Sequence, residues 1–157
     1  KIGNLIHFAK QAQQKKLMEE ICLLLKDKLE ALIVSKNIDA VGYIPPTIKR
    51  EVQIMNYFKN SFNLSVPHIN LKKVSGVIPI PQKALSKIED RISNANASII
   101  VDDKRVFNRI LLIDDAVGSG ATINETACKI KYKKIAAEVI GFAIVGSFKG
   151  FDVIQEV

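Results

Sequence analysis

Between residues 13 and 34, apolar side chains recur at Leu17, Met18, Ile21, Leu24, Leu25, Leu29, Leu32 and Ile33, with charge on the opposite face. That period predicts an amphipathic helix. A shorter amphipathic piece over residues 5–12 precedes it. Residues 39–44 form a short apolar run stopped by Pro45-Pro46, the pattern of a strand entering a loop. Thr47 then stands where a helix N-cap would, and Ile48, Val52, Met55, Phe58 and Phe62 carry a second helical stripe. A weaker strand is expected near residues 68–71.

Residues 75–96 differ in kind. Ser75, Gly76, Pro79 and Pro81 break regular structure, and the polar stretch over 83–96 supports only a short surface helix. A long insertion of this sort in a compact domain is expected to be a functional lid or a disordered segment. Strands follow over 97–102 and 109–114, then a helix from Gly120 to Tyr132, a strand over 137–145 and a last strand near 151–155. Buried-looking strands alternating with helices predict an α/β fold, a mostly parallel central sheet flanked by helices.

The chain has 157 residues, which at ~150 residues per domain predicts a single domain over 1–157. Its 48% hydrophobic and 25% charged residues give a globular rather than a disordered balance. No apolar run approaches the ~18 residues of a membrane helix, and no signal peptide is visible after Lys1. Lys plus Arg outnumber Asp plus Glu by 23 to 16, and the net charge of +7 favours an anionic partner such as nucleic acid or a phosphorylated small molecule. The lysines are scattered. The nearest thing to a patch, Lys129, Lys131, Lys133 and Lys134, lies over a helix end, where it is read equally as a solvated terminus that suits the negative end of the dipole or as a binding surface. Cys22 and Cys128 are too far apart for metal-ligand spacing or a disulfide framework, and buried thiols fit a reducing cytoplasm. His7 and His68 are isolated.

The chemistry concentrates at Ile110-Leu111-Leu112-Ile113-Asp114-Asp115-Ala116-Val117-Gly118-Ser119-Gly120-Ala121-Thr122. Four apolar residues predict a central strand whose C-terminal end delivers two carboxylates, the end at which open α/β sheets bind ligands. Gly118 and Gly120 let the backbone approach a ligand and adopt angles barred to other residues. The N–H groups opening the next helix form an anion site, with Ser119 and Thr122 adding hydroxyls. Carboxylates beside a phosphate repel it unless they face sugar hydroxyls or a metal ion. The segment therefore suits a sugar phosphate, with hydroxyls on Asp114 and Asp115 and phosphate on the loop. A Walker loop needs Lys-Ser/Thr after its last glycine, and a dinucleotide fingerprint needs three glycines at its own spacing; neither is present. An ordinary tight turn would explain the glycines but not their register with the acidic pair and Thr122.

This segment resembles the ribose-phosphate signature of type I phosphoribosyltransferases. Asp114, Asp115, Gly120 and Thr122 match it directly, and Gly118-Ser119 stand where that family usually carries Thr-Thr. Gln82, Leu85, Arg91, Asn94 and Ala97 are similar to the flexible-loop region of the competence protein ComF family, also described as amidophosphoribosyltransferase-like. Pro45-Pro46 is similar to that family's lead-in to its pyrophosphate loop. Where the family commonly has Arg-Gly-Phe-Asn-Gln, this chain has Lys49-Arg50-Glu51-Val52-Gln53, keeping a basic residue and Gln53.

The resemblance implies binding of 5-phosphoribosyl 1-pyrophosphate (PRPP) with Mg²⁺ and transfer of its ribose 5-phosphate to a base or amine. Asp114 and Asp115 would be the catalytic pair. Ala116, Val117, Gly118, Ser119, Gly120, Ala121 and Thr122 would hold the 5′-phosphate. Pro45, Pro46 and Thr47 would belong to the pyrophosphate loop, and Gln82 and Arg91 to the flexible loop over 75–96. Mg²⁺ would be held mainly through PRPP rather than by protein ligands. A homodimer is compatible with the resemblance, and a zinc ribbon before Lys1 would match many relatives. Two other classes stay open: a PRPP-binding regulator without turnover, suggested by the reduced pyrophosphate loop, and a DNA-uptake accessory of the ComF type. With no Trp and 6% aromatic residues, base stacking on single strands would be weak.

Overall fold

The computed structural model describes residues 2–46, 52–73 and 99–146. Helices α1 (Ile2–Ala12) and α2 (Lys15–Ser35) come first, followed by β1 (Ala40–Tyr43), α3 (Ile54–Ser61), β2 (Leu71–Lys73), β3 (Ile99–Val101), β4 (Phe107–Val117), α4 (Ala121–Tyr132) and β5 (Ala136–Gly146). Strands β1, β4 and β5 form a parallel sheet with β4 in the middle, and β2 and β3 pair antiparallel beside it. The expected α/β fold with a parallel central sheet is the one found.

A central parallel strand must be covered on both faces, and β4 shows how this chain does it. Leu111 and Ile113 point into a core made with α1, α2 and α3, among Met18, Ile21, Leu29, Met55, Phe58 and Phe62. Ile110 and Leu112 point the other way, into a core with Ile130 of α4, Ile69 and Ile99. All four are fully buried, so the apolar run is continuous rather than alternating. Gly141 of β5 completes the second face: a Cβ there would lie 2.8 Å from Cγ2 of Ile123, so α4 starts in close contact with the sheet.

The boundaries differ from expectation in instructive ways. The first two helices are separated by Gln13, whose φ of +50° breaks the helical path. α3 opens at Ile54 with Gln53 at its cap, so Thr47 does not cap it. The N–H of Val52, just before the helix, donates to Oε1 of Gln13 at 2.8 Å. The strand expected over 68–71 divides its loyalties. Val41 donates to the carbonyl of Pro67 and Ile69 donates to that of Val41, beside β1, whereas the ladder with β3 begins only at Leu71. β4 is eleven residues long and continues past the acidic pair to Val117, because β5 pairs with it as far as Gly146. The last strand expected near 151–155 and the lid expected over 75–96, with Gln82 and Arg91, lie outside the described residues, as does Thr47.

Polar contacts fix the N-terminal edge of the sheet. Asp39 accepts the backbone N–H groups of Asn108 and Arg109 at 2.7 and 3.0 Å. Arg109 pairs with Glu138, its register partner on β5, and also donates to the carbonyl of Lys36. The β3–β4 connection is closed by Asp103, which accepts from Arg105 and from the N–H of Asn70; the guanidinium holds this carboxyl well below the usual range.

Tyr43 is the exception to good pairing. It stacks on Phe62 with ring centroids 6.4 Å apart and meets His68 edge-on, yet its buried hydroxyl finds no hydrogen-bond partner among the described residues. Burial pushes its phenol up, since the phenolate would be desolvated. An unsatisfied buried hydroxyl costs on the order of 1 kcal/mol, so Tyr43→Phe is expected to leave the fold equally or more stable by up to about 1 kcal/mol, read by urea unfolding. A clear loss of stability would show that the hydroxyl is bonded in solution.

Candidate functional site

The site expected from the sequence lies at the C-terminal end of β4. Because the strand runs on to Val117, the two carboxylates sit within it rather than at its tip, and consecutive strand residues face opposite ways. Asp114 shares the face of Leu112 and α4, while Asp115 shares the face of Ile113 and α1. The structure therefore does not bring both side chains to one face, as a joint grip on one sugar would require. It joins them by charge: Asp114 Oδ1 accepts the N–H of Asp115 at 2.8 Å, and Asp115 Oδ2 meets Nζ of Lys10 at 2.6 Å.

The two acids consequently have different surroundings. Asp115 is buried and ion-paired to α1. Asp114 is half-buried, and desolvation, reinforced by the charge of Asp115, pushes its pKa up to about 7; the Asp115 N–H and Lys10 oppose the rise. Burial and a neighbouring like charge are thus the causes of the shift at Asp114.

Beyond Val117 the loop behaves as its sequence suggests, for a sharper reason. Gly120 has φ +76° and ψ 0°, the left-handed conformation, at the cap of α4. A Cβ there would meet only Nδ2 of Asn124, at 3.8 Å, so it is the backbone angle and not lack of room that calls for glycine. Gly118 has open space where a side chain would go. No side chain caps α4, and its first turn carries no acidic residue. The N–H groups that open the helix are thus presented beside Ser119 and Thr122, a ready anion site. Thr122 keeps its carbonyl engaged by the Thr126 hydroxyl at 2.7 Å. Ala116 and Val117 complete the strand, and Ala121 is buried at the start of α4.

Pro45 and Pro46 leave the C-terminal end of β1, and Pro45 lines a small depression with Tyr43, Ile44, Met55, Asn56 and Lys59. Among the described residues no group of three His, Cys, Asp or Glu side chains could hold a metal ion. The acidic pair points to opposite faces, and Asp115 is taken by Lys10. The lysines of the expected patch are partly committed elsewhere: Lys129 and Lys133 donate to the carbonyls of Ile99 and Val101 along β3. Sequence reasoning missed Lys10 and Gln13, because nothing in an amphipathic helix indicates which distant strand its polar residues will meet.

No family model and no curated protein matches the chain in sequence. Among solved structures, an adenine phosphoribosyltransferase superposes with a TM-score of 0.54 at 12% identity, covering 88% of this chain and 75% of that one. The fold is that of the type I phosphoribosyltransferases. A hypoxanthine phosphoribosyltransferase from Staphylococcus aureus gives a TM-score of 0.49 at 12% identity, covering 88% of this chain and 70% of the other. One from Trypanosoma cruzi gives 0.47 at 10% identity, over 89% and 73% of the respective chains. None of the described helices is long and apolar enough to cross a membrane.

The raised pKa of Asp114 has a consequence for stability. Folded Asp114 holds its proton up to about pH 7, whereas an unfolded aspartate loses it near 4. Folding is therefore favoured by this group at low pH, and stability falls as pH rises from about 4 to 7, then levels. Asp114→Asn is expected to flatten that slope and to stabilise the protein at pH 8 by roughly 1–3 kcal/mol, allowing for the partial solvent contact the group keeps. Urea unfolding at pH 5 and pH 8 checks both signs.

Proposed function

We propose that the chain is a phosphoribosyltransferase that binds PRPP with Mg²⁺ and transfers its ribose 5-phosphate to a base or amine, releasing pyrophosphate. The observation that carries this reading is the juxtaposition at the end of β4. A poised carboxyl, Asp114, precedes a left-handed glycine and an uncapped helix N-terminus, all in the phosphoribosyltransferase fold.

In this reading the α4 N–H groups from Ala121 onward hold the 5′-phosphate, helped by the hydroxyls of Ser119 and Thr122. Asp114 accepts the ribose hydroxyls on the same face, and Asp115 supports it from behind through its N–H. Pro45 and Pro46 direct the chain towards the pyrophosphate, with Thr47, Gln82 and Arg91 as proposed contacts from the adjoining loops. Mg²⁺, when bound, would neutralise charge on the pyrophosphate. The protein's own contribution is positioning and the stabilisation of positive charge that develops on the ribose as pyrophosphate leaves. Free Cys22 and Cys128 suit a reducing, cytoplasmic setting, and the acceptor is left open. A DNA-binding role finds less support, since Lys129 and Lys133 are bonded to β3.

Calorimetry with PRPP, with and without Mg²⁺, followed by pyrophosphate-release assays over bases and amines, tests the reading. Binding without pyrophosphate release with any acceptor would instead make the protein a PRPP-binding regulator. Gly120→Val forces a β-branched residue to φ +76°, a strain of roughly 1–2 kcal/mol that the loop can shed only by refolding. It is expected to abolish PRPP binding while cooperative unfolding persists. Any affinity for single-stranded DNA should be salt-sensitive and unmoved by the same substitution. DNA affinity lost with Gly120→Val, and no PRPP heat from the unmodified protein, would overturn the proposal.

A further inference from the structure

The last turn of α1 touches both halves of the candidate site. Nζ of Lys10 lies 2.6 Å from Oδ2 of Asp115, on the face of β4 away from the phosphate loop. One turn further on, Gln13 accepts the N–H of Val52 at 2.8 Å, holding the chain where it returns from Pro45-Pro46 towards α3. Gln13 reaches that point from a left-handed backbone position, φ +50°, which ends α1 abruptly and turns the chain into α2. The start of α1 lies close against β5, so that a Cβ added at Gly3 would stand 3.6 Å from Val145 Cγ1. The helix is thus anchored along its length, and Lys10 is delivered to the acidic pair by tertiary structure.

We propose that Lys10 is a positioning residue for the proposed phosphoribosyl site: by pairing with Asp115 behind the strand, it lets Asp114 carry the charge needed to accept the sugar's hydroxyls. This inference rests on the reading of the site given above. Two adjacent carboxylates in one strand oppose each other's ionisation, and the one without a counter-ion takes up the proton. Among the described residues, the charged groups acting on Asp114 are Asp115 on its own strand and Lys10 on α1. Its register partner on β5 is Ala143, and Glu125 of α4 acts on Lys129 instead. Lys10 is therefore the cation that offsets the repulsion: its charge, held 2.6 Å from Asp115, lowers the pKa of Asp114 from behind the strand without occupying the face where a ligand would sit.

The test uses the full chain with Lys10→Met and Lys10→Arg. Carboxyl ¹³C NMR titration of the unliganded protein should show Asp114 losing its proton near neutrality, and at a distinctly higher pH in Lys10→Met, with Lys10→Arg close to the unmodified protein. Calorimetry with PRPP and Mg²⁺ should show roughly fivefold weaker binding by Lys10→Met at pH 7, recovering most of the loss at pH 9 as Asp114 ionises, since a rise of about one pKa unit from about 7 cuts the ionised fraction at pH 7 from about a half to about a tenth. A merely structural ion pair would lower affinity equally at both pH values or not at all, and either result overturns the proposal. An Asp114 titration unchanged in Lys10→Met overturns it too. If the unmodified protein binds no PRPP, the function proposed above fails, whereas the NMR arm still decides whether Lys10 governs Asp114.

Discussion

One strand bears the whole arrangement. Residues 110–113 of β4 are buried on both faces, and a parallel strand so placed cannot be left open to water on either side. That requirement draws α1, α2 and α3 to one face and α4 with Ile69 and Ile99 to the other. At the rate of roughly 1.5–3 kcal/mol for burying a large aliphatic side chain, four such residues outweigh any single polar contact in the molecule. The same strand then carries two carboxylates immediately beyond its apolar run. Hydrophobic order therefore dictates where the charge must go, and the charge arrives at the end of the sheet where helix N-termini gather.

The cost of that placement is electrostatic. Two consecutive acids in a central strand cannot both ionise cheaply, and the fold resolves the conflict unequally. Asp115 takes a lysine from α1, while Asp114 is left to face α4 with its pKa near 7. Divergent environments for paired carboxyls are the usual means by which a site separates a fixed charge from a responsive one. Here the separation follows from the pleat alone, since neighbouring strand residues look to opposite faces. No extra device is needed beyond a cation on one of the two covering layers.

Much of this was legible before the structure. The period of α2, the apolar run of β4, and the register of Asp114, Gly120 and Thr122 each express a local rule, and each led to the right element or turn. The resemblance of residues 110–122 to a ribose-phosphate signature likewise agrees with the fold found. What was not legible depends on distance in space. The length of β4 is set by β5, whose pairing to Gly146 extends the strand past the acids and turns them to opposite faces. The segment that leads into α3 is tied to Gln13, thirty-nine positions earlier, through the N–H of Val52. Lys129 and Lys133 looked like a solvated helix end until β3 supplied carbonyls for them. At Gly120 the sequence suggested both close approach and an unusual angle, and the φ of +76° bears out the angle.

The two ends of the sheet show the same logic from opposite sides. At the N-terminal edge Asp39, Arg109 and Glu138 have fixed partners. Asp39 accepts two backbone N–H groups, and Arg109 spans Glu138 and the Lys36 carbonyl, so the strands are pinned in register there. Such exposed pairs add little energy individually, yet together they specify which residues lie opposite. At the C-terminal edge the polar groups are presented rather than consumed. The helix opens without a side-chain cap, Gly118 borders open space, and Asp114 waits near its titration point. A sheet satisfied at both edges would be more stable and would have nothing left with which to bind. Here the register fixed at the inert edge makes the open groups at the other edge a precise constellation, because β4 is a rigid rod joining the two.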